Sequence, residues 1–279
     1  MQKATYILIV IWGIVAFISC GESLTPEKRI EKMHELVAAK KFDQAIEQLK
    51  VLMVDRPTDS QVLFLGGMAY LGLEQYDSAS SYAKKFTVLY PKDMDGYRLL
   101  YESSEKIGNF EAQLWAVSQM SYVDTDRRKY FPEIARLNFQ AGNYGMALAT
   151  GRDILKNDPG NRQVLFTMAN SYAAIGNLDS AILIMEQINN QTPDQVEVLA
   201  NLAIYQAHKS NYPEAEKHFR RVTQLFPDYI AGWYGLGNVL LIRNDTADAI
   251  TAYRQARNRD STYLGVDSIL RSLNPLGLR

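Results

Sequence analysis

The sequence predicts an all-helical solenoid, and three observations predict it. Prolines at Pro57, Pro91, Pro159, Pro193 and Pro227 stand 34 residues apart, or twice 34 between Pro91 and Pro159. The stretch "GNYGMALATGRDILKNDP", from Gly142 to Pro159, is followed one period later by "GNLDSAILIMEQINNQTP", from Gly176 to Pro193, with the same kinds of residue in the same order. No segment alternates apolar and polar residues long enough to read as a strand. A fixed period without slippage means stacked copies of one supersecondary unit.

The first stretch, "MQKATYILIVIWGIVAFISCGES", stands apart from the repeats. Lys3, an apolar run from Ala4 to Ile18 and the small residues around Cys20 read as a secretory signal peptide. A run of roughly 15 residues at about 1.5 Å each covers about 22 Å, short of the roughly 30 Å hydrocarbon core, and a membrane-spanning helix is the alternative reading. Cys20 is the only cysteine, so it forms no internal disulfide. "FISC" followed by Gly resembles the lipobox of bacterial lipoproteins, with Phe17 where that family usually has Leu. The resemblance implies a signal peptide over 1–19, acylation of Cys20 as the new amino terminus, and a short linker over 20–25. Each buried CH₂ contributes about 0.8 kcal/mol, so several acyl chains hold such a protein on a membrane. Gly21 in place of Asp implies, by the same resemblance, an outer-membrane anchor facing the periplasm.

Seven units then follow without insertion, over 26–59, 60–93, 94–127, 128–161, 162–195, 196–229 and 230–263. In the fifth, Leu165, Met168, Ala169 and Tyr172 share one helix face. Gly176 and Asn177 close that helix because both tolerate left-handed backbone. Asn177 or Asp179 caps the next helix, which turns Ala181, Met185 and Ile188 inward before Pro193 ends it. Across the units an aromatic or bulky residue (Phe42, Tyr76, Phe110, Tyr144, Leu178, Tyr212, with Thr246 departing) precedes a small one (Ala45, Ala79, Ala147, Ala181, Ala215, Ala249) by three places. The small residue lets the two helices cross closely, and Gln113 interrupts the series. The third unit also has Thr125 for its proline, which leaves a worn repeat or a softer joint as readings.

These units, with Trp233, Leu236 and Gly237 in the seventh and Leu63, Gly67 and Tyr70 in the second, resemble tetratricopeptide repeats. The resemblance implies a right-handed superhelix whose first helices line a concave, peptide-binding face. The groove positions are then Ile30, His34, Phe64, Met68, Arg98, Glu102, Arg136, Phe139, Phe166, Asn170, Asn201, Ile204, Tyr234, Asn238 and Leu241. Asn170, Asn201 and Asn238 are the candidate amides for a peptide backbone, since each offers a donor and an acceptor, and Phe166 and Tyr234 are the candidate apolar contacts. Three solvated polar residues on an exposed face are the competing account. A carboxylate clamp is not expected, because Ala231 and Gly235 occupy the positions where the family carries basic residues. The tail over 264–279, with Leu264, Val266, Ile269, Leu270 and Leu273, reads as a helix capping the last unit. Docking on a partner is its other reading.

A net charge of −1 argues against a nucleic-acid partner. His34, His208 and His218 lie far apart in the array, no catalytic or phosphate-binding motif is present, and Glu102 and Glu105 read as solvation. Arg220, Arg221, Arg254, Arg257 and Arg259 read as an outer face, with an anionic partner as the minority view. No metal or cofactor is expected. The function implied is a membrane-anchored scaffold that binds protein or peptide partners and helps assemble an envelope complex. Lipoproteins of this architecture serve in pilus assembly, in outer-membrane protein assembly and as adaptors of cell-wall hydrolases. A ligand-binding or catalytic role of the groove is the other class.

Overall fold

The computed structural model describes residues 24–273, so the proposed signal peptide and Cys20 lie outside the described residues. Among the described residues there are α-helices, two short 3₁₀ segments and no strand. Seven helical pairs run in order: α1 (Pro26–Ala38) with α2 (Phe42–Asp55), α3 (Ser60–Gly72) with α4 (Tyr76–Leu89), and α5 (Met94–Lys106) with α6 (Phe110–Val123). Then come α7 (Phe131–Gln140) with α8 (Tyr144–Leu155), α9 (Arg162–Ala174) with α10 (Leu178–Gln191), α11 (Val196–His208) with α12 (Tyr212–Leu225), and α13 (Ile230–Ile242) with α14 (Thr246–Arg259). A last helix, α15 (Val266–Leu273), closes the series. The residues divide into two compact units between Ala116 and Val117, inside α6, and each unit is built on the same rules.

The period is written most plainly in the backbone. Lys40, Glu74, Gly108, Gly142, Gly176, Ser210 and Asn244, one per pair and 34 residues apart, all have φ between 57° and 81°. Each follows a first helix and turns the chain back on itself. The amide one residue further on then reaches a carbonyl of the last helical turn, as in Lys41 N to Leu36 O at 2.8 Å and Asn177 N to Tyr172 O at 2.8 Å. This satisfies carbonyls that the helix end would leave bare.

Helix starts follow from capping side chains. Asp59 Oδ1 accepts from Gln61 N (2.9 Å) and Val62 N (3.2 Å), and Asn161 Oδ1 accepts from Val164 N at 3.1 Å. On the second helices, Asn109 and Asn177 accept from Ala112 N (3.0 Å) and Ser180 N (3.1 Å). Of the two capping candidates before α10, Asn177 therefore takes the role, and Asp179 pairs with Lys209 instead.

Packing explains the small residues. Ala45, Ala79, Ala147, Ala181, Ala215 and Ala249 are all fully buried where their helices cross. In the third pair Gln113 is equally buried, with Nε2 donating to Ser104 O at 3.3 Å, while Ser104 Oγ beside it is buried with no hydrogen-bond partner. A Cβ on Gly235 would lie 2.4 Å from the Phe219 ring, so the α12–α13 contact requires glycine there. At two joints an aromatic side chain latches the carbonyl of the proline before it: Tyr97 Oη donates to Pro91 O at 2.9 Å, and Trp233 Nε1 donates to Pro227 O at 2.7 Å.

The fourth pair departs from its neighbours. A 3₁₀ turn over Arg127–Tyr130 stands in for the first turn of α7, leaving that helix 10 residues long. Pro132 accounts for the break. It lacks an N–H for an i−4 bond and fits only the first turn of the α-helix, so regular bonding starts after it. At the other end, Val266 and Leu270 of α15 are buried against Leu236, Tyr253 and Ala256, covering the apolar face of the last pair.

Candidate functional site

First helices touch first helices. Besides its own partner, α1 meets α3 and α3 meets α5 in the first unit, and α7 meets α9 and α11 meets α13 in the second. In the second unit the first-helix side opens into a cleft of about 600 Å³. Arg136, Phe139 and Gln140 of α7 form one wall; Arg162, Gln163, Phe166, Thr167 and Asn170 of α9 form the floor, and Glu197 of α11 closes the other side.

Both phenylalanines are half-buried, so their rings serve the core and the cleft at once; Phe166 packs against the cluster around Leu165 and Ile182. Arg136 is fully engaged: Nε and one terminal nitrogen donate to the Glu133 carboxylate at 2.7 and 2.5 Å, and the other to Gln140 Oε1 at 2.6 Å. Its guanidinium is thereby neutralised and held flat. Asn170 Oδ1 accepts from the Tyr205 hydroxyl, which comes from α11 of the next pair. Burial pushes the Tyr205 phenol up to about 12, so it remains a donor at any ordinary pH. With that oxygen engaged, the two N–H groups of Asn170 are what it offers to the cleft.

Of the five peptide-binding candidates, the structure brings Phe166 and Asn170 together in the cleft and leaves Asn201, Tyr234 and Asn238 outside its lining. Asn238 Oδ1 accepts from Tyr253 Oη at 2.7 Å within its own pair. The Tyr234 ring lies between Tyr253 and Tyr263, at 5.7 and 5.6 Å centroid distance and near-perpendicular angles, so it stabilises the capped end. Asn170 and Asn238 share a repeat position, two periods apart, but Ile204 occupies that position in the pair between them, and Asn201 corresponds to Thr167. Ile30, counted among the groove positions, is 6% exposed and belongs to the core of the first two pairs, because the first turn of α1 packs on α2 and α3.

Arg136, Phe139, Phe166 and Asn170 were legible as groove positions. Gln140, Arg162, Gln163, Thr167 and Glu197 were not, although Gln163 and Glu197 are one period apart and mark the rim. The late arginines are also placed. Arg221 makes a bidentate pair with Asp194, Arg220 joins Glu216 and Asp248, and Arg243 joins Glu216, each linking neighbouring pairs. Arg259 lies over the Trp233 ring at 5.4 Å. His34 and His208 are exposed, and His218 is half-buried on α12. Among the described residues no group of three or more His, Cys, Asp or Glu side chains is placed to hold a metal ion, and no helix is long and apolar enough to cross a membrane.

A stack of helical hairpins with a cleft on the first-helix face defines a class of repeat proteins, and the comparisons name it. Residues 138–203 and 201–263 match family models described as tetratricopeptide repeat, so this part of the chain consists of tetratricopeptide repeats. The fold is similar to the C-terminal part of a TPR repeat-containing protein from Cytophaga hutchinsonii, with TM-score 0.61, 13% identity, and 86% of this chain and 98% of that chain covered. It is also similar to a tetratricopeptide repeat protein from Parabacteroides merdae, with TM-score 0.57, 16% identity, and 89% and 98% covered. A third similar structure is the Cut9–Hcn1 hetero-tetramer of the APC/C, with TM-score 0.53, 13% identity, and 96% and 52% covered. No curated protein matches the chain in sequence.

Proposed function

We propose that this protein is a lipid-anchored scaffold whose cleft receives a segment of another envelope protein. The observation that carries the reading is the cleft itself, where Phe139 and Phe166 leave apolar surface open next to the amide of Asn170. An apolar wall beside backbone-reading donors is what an extended chain needs: area for affinity and hydrogen bonds for register. The structural likeness to Cut9, seen in a hetero-tetramer with Hcn1, supports a role in holding partners. The anchor rests on the sequence around Cys20, and the bacterial envelope location rests on that anchor.

A photo-crosslinking residue at Gln163, on the cleft floor, is expected to trap a discrete envelope protein in intact cells. The same residue at Lys85, exposed on α4, is expected to trap none. Equal trapping at both sites, or none at Gln163, would remove the scaffold reading. For the anchor, metabolic labelling with an alkyne fatty acid should mark the wild-type protein and not Cys20→Ala. Label persisting in the variant argues against acylation at that cysteine.

A further inference from the structure

We infer that the cleft selects an extended segment carrying an aromatic side chain with a side-chain carboxylate close to it in sequence; this rests on the partner-groove reading above. The aromatic preference follows from the walls. Phe139 and Phe166 supply ring edges and faces, and the guanidinium of Arg136, held by Glu133 and Gln140, adds a flat surface whose charge is already paired. An aromatic ring gains contact from all three.

The charge preference follows from what is left unspent. Among the described residues Arg162 has no ion pair, and as the first residue of α9 it works against that helix's dipole. A carboxylate on the bound segment would meet the charge of Arg162 at the rim. Glu197 stands on the α11 side and repels a carboxylate there, so the acid is confined to the Arg162 side. Asn170, its oxygen held by Tyr205, reads backbone carbonyls between the two.

The test uses the full chain in detergent and short capped peptides with one fluorinated Phe at the centre and either Asp or Lys two residues away, followed by fluorine NMR, which detects weak binding. The Asp peptide should bind about threefold more tightly than the Lys peptide, the range of one rim ion pair. The difference should shrink in high salt and disappear in Arg162→Gln, an exposed substitution that leaves the fold intact. An unlabelled peptide with Ala for Phe should fail to compete. If Asp and Lys peptides bind equally, or the preference survives Arg162→Gln, the selectivity is overturned while the groove reading stands. If none of the peptides binds, both fall.

Discussion

The hydroxyl of Tyr205 on α11 donates to the side-chain oxygen of Asn170 on α9, so the amide at the cleft floor is oriented by the neighbouring repeat. Tyr205→Phe keeps the ring and removes the bond. It should lower stability by about 1 kcal/mol, read by thermal or urea unfolding. Because burial pushes this phenol and that of Tyr253 up to about 12, spectrophotometric titration of the wild type should show a high-pH group of tyrosines that Tyr205→Phe depletes by one. No change in stability would mean that Asn170 is positioned by packing alone.

Four of the seven left-handed turns are made by Lys40, Glu74, Ser210 and Asn244 rather than glycine. Left-handed backbone costs a side-chain-bearing residue about 1–2 kcal/mol, of which glycine's freedom in the unfolded chain returns part. Lys40→Gly, Glu74→Gly and Ser210→Gly should each raise stability by about 0.5–1 kcal/mol, and Asn244→Gly by less, since Asn tolerates this region. Melting temperatures of the single variants check the order.

Ser104→Ala should also stabilise. Its hydroxyl is buried without a partner beside Gln113, and deleting it removes a desolvated polar group at the cost of one small atom. The expected gain is about 1 kcal/mol by urea unfolding. A loss would imply a hydrogen bond that forms in solution.

The imidazole of His218 is held below its usual 6.5, first by burial and then by the charge of Lys217 beside it. The unfolded chain therefore takes up that proton more readily than the folded one, so stability falls as pH drops below 6.5 toward the lowered value and is unaffected above it. His218→Gln should reduce the loss of melting temperature between about pH 7.5 and 5.5.

Helix placement was legible because local chemistry repeats it seven times: the Asp59 and Asn161 caps, the Ala181-type crossings and the Gly176-type turns sit at fixed offsets. Where the pattern broke, the sequence showed the break but not its form. Pro132 shortens α7, and the closing prolines that set the unit boundaries carry no sign of it. Of the candidates read from the period, Phe166 and Asn170 line the cleft; Asn201 lies one helical turn from the position that Asn170 and Asn238 share, and the Tyr234 ring faces Tyr253 and Tyr263. Which face of a groove residue is already consumed depends on its neighbours in space, such as Tyr205 and Tyr253, and these come from other helices.

The rings of Tyr97 and Trp233 each grip the carbonyl of the proline that ends the preceding hairpin. At the joints before Leu63 and Phe131 other tyrosines serve, with Tyr90 Oη donating to Thr58 O at 2.6 Å and Tyr130 Oη to Asp124 Oδ2 at 2.8 Å, whereas the joints before Leu165 and Leu199 carry leucine at that place, with no polar atom to grip with. A pull along the chain would thus be resisted unevenly. Extension should begin at the hairpins that lack a ring latch, giving the chain a built-in order of yielding under load.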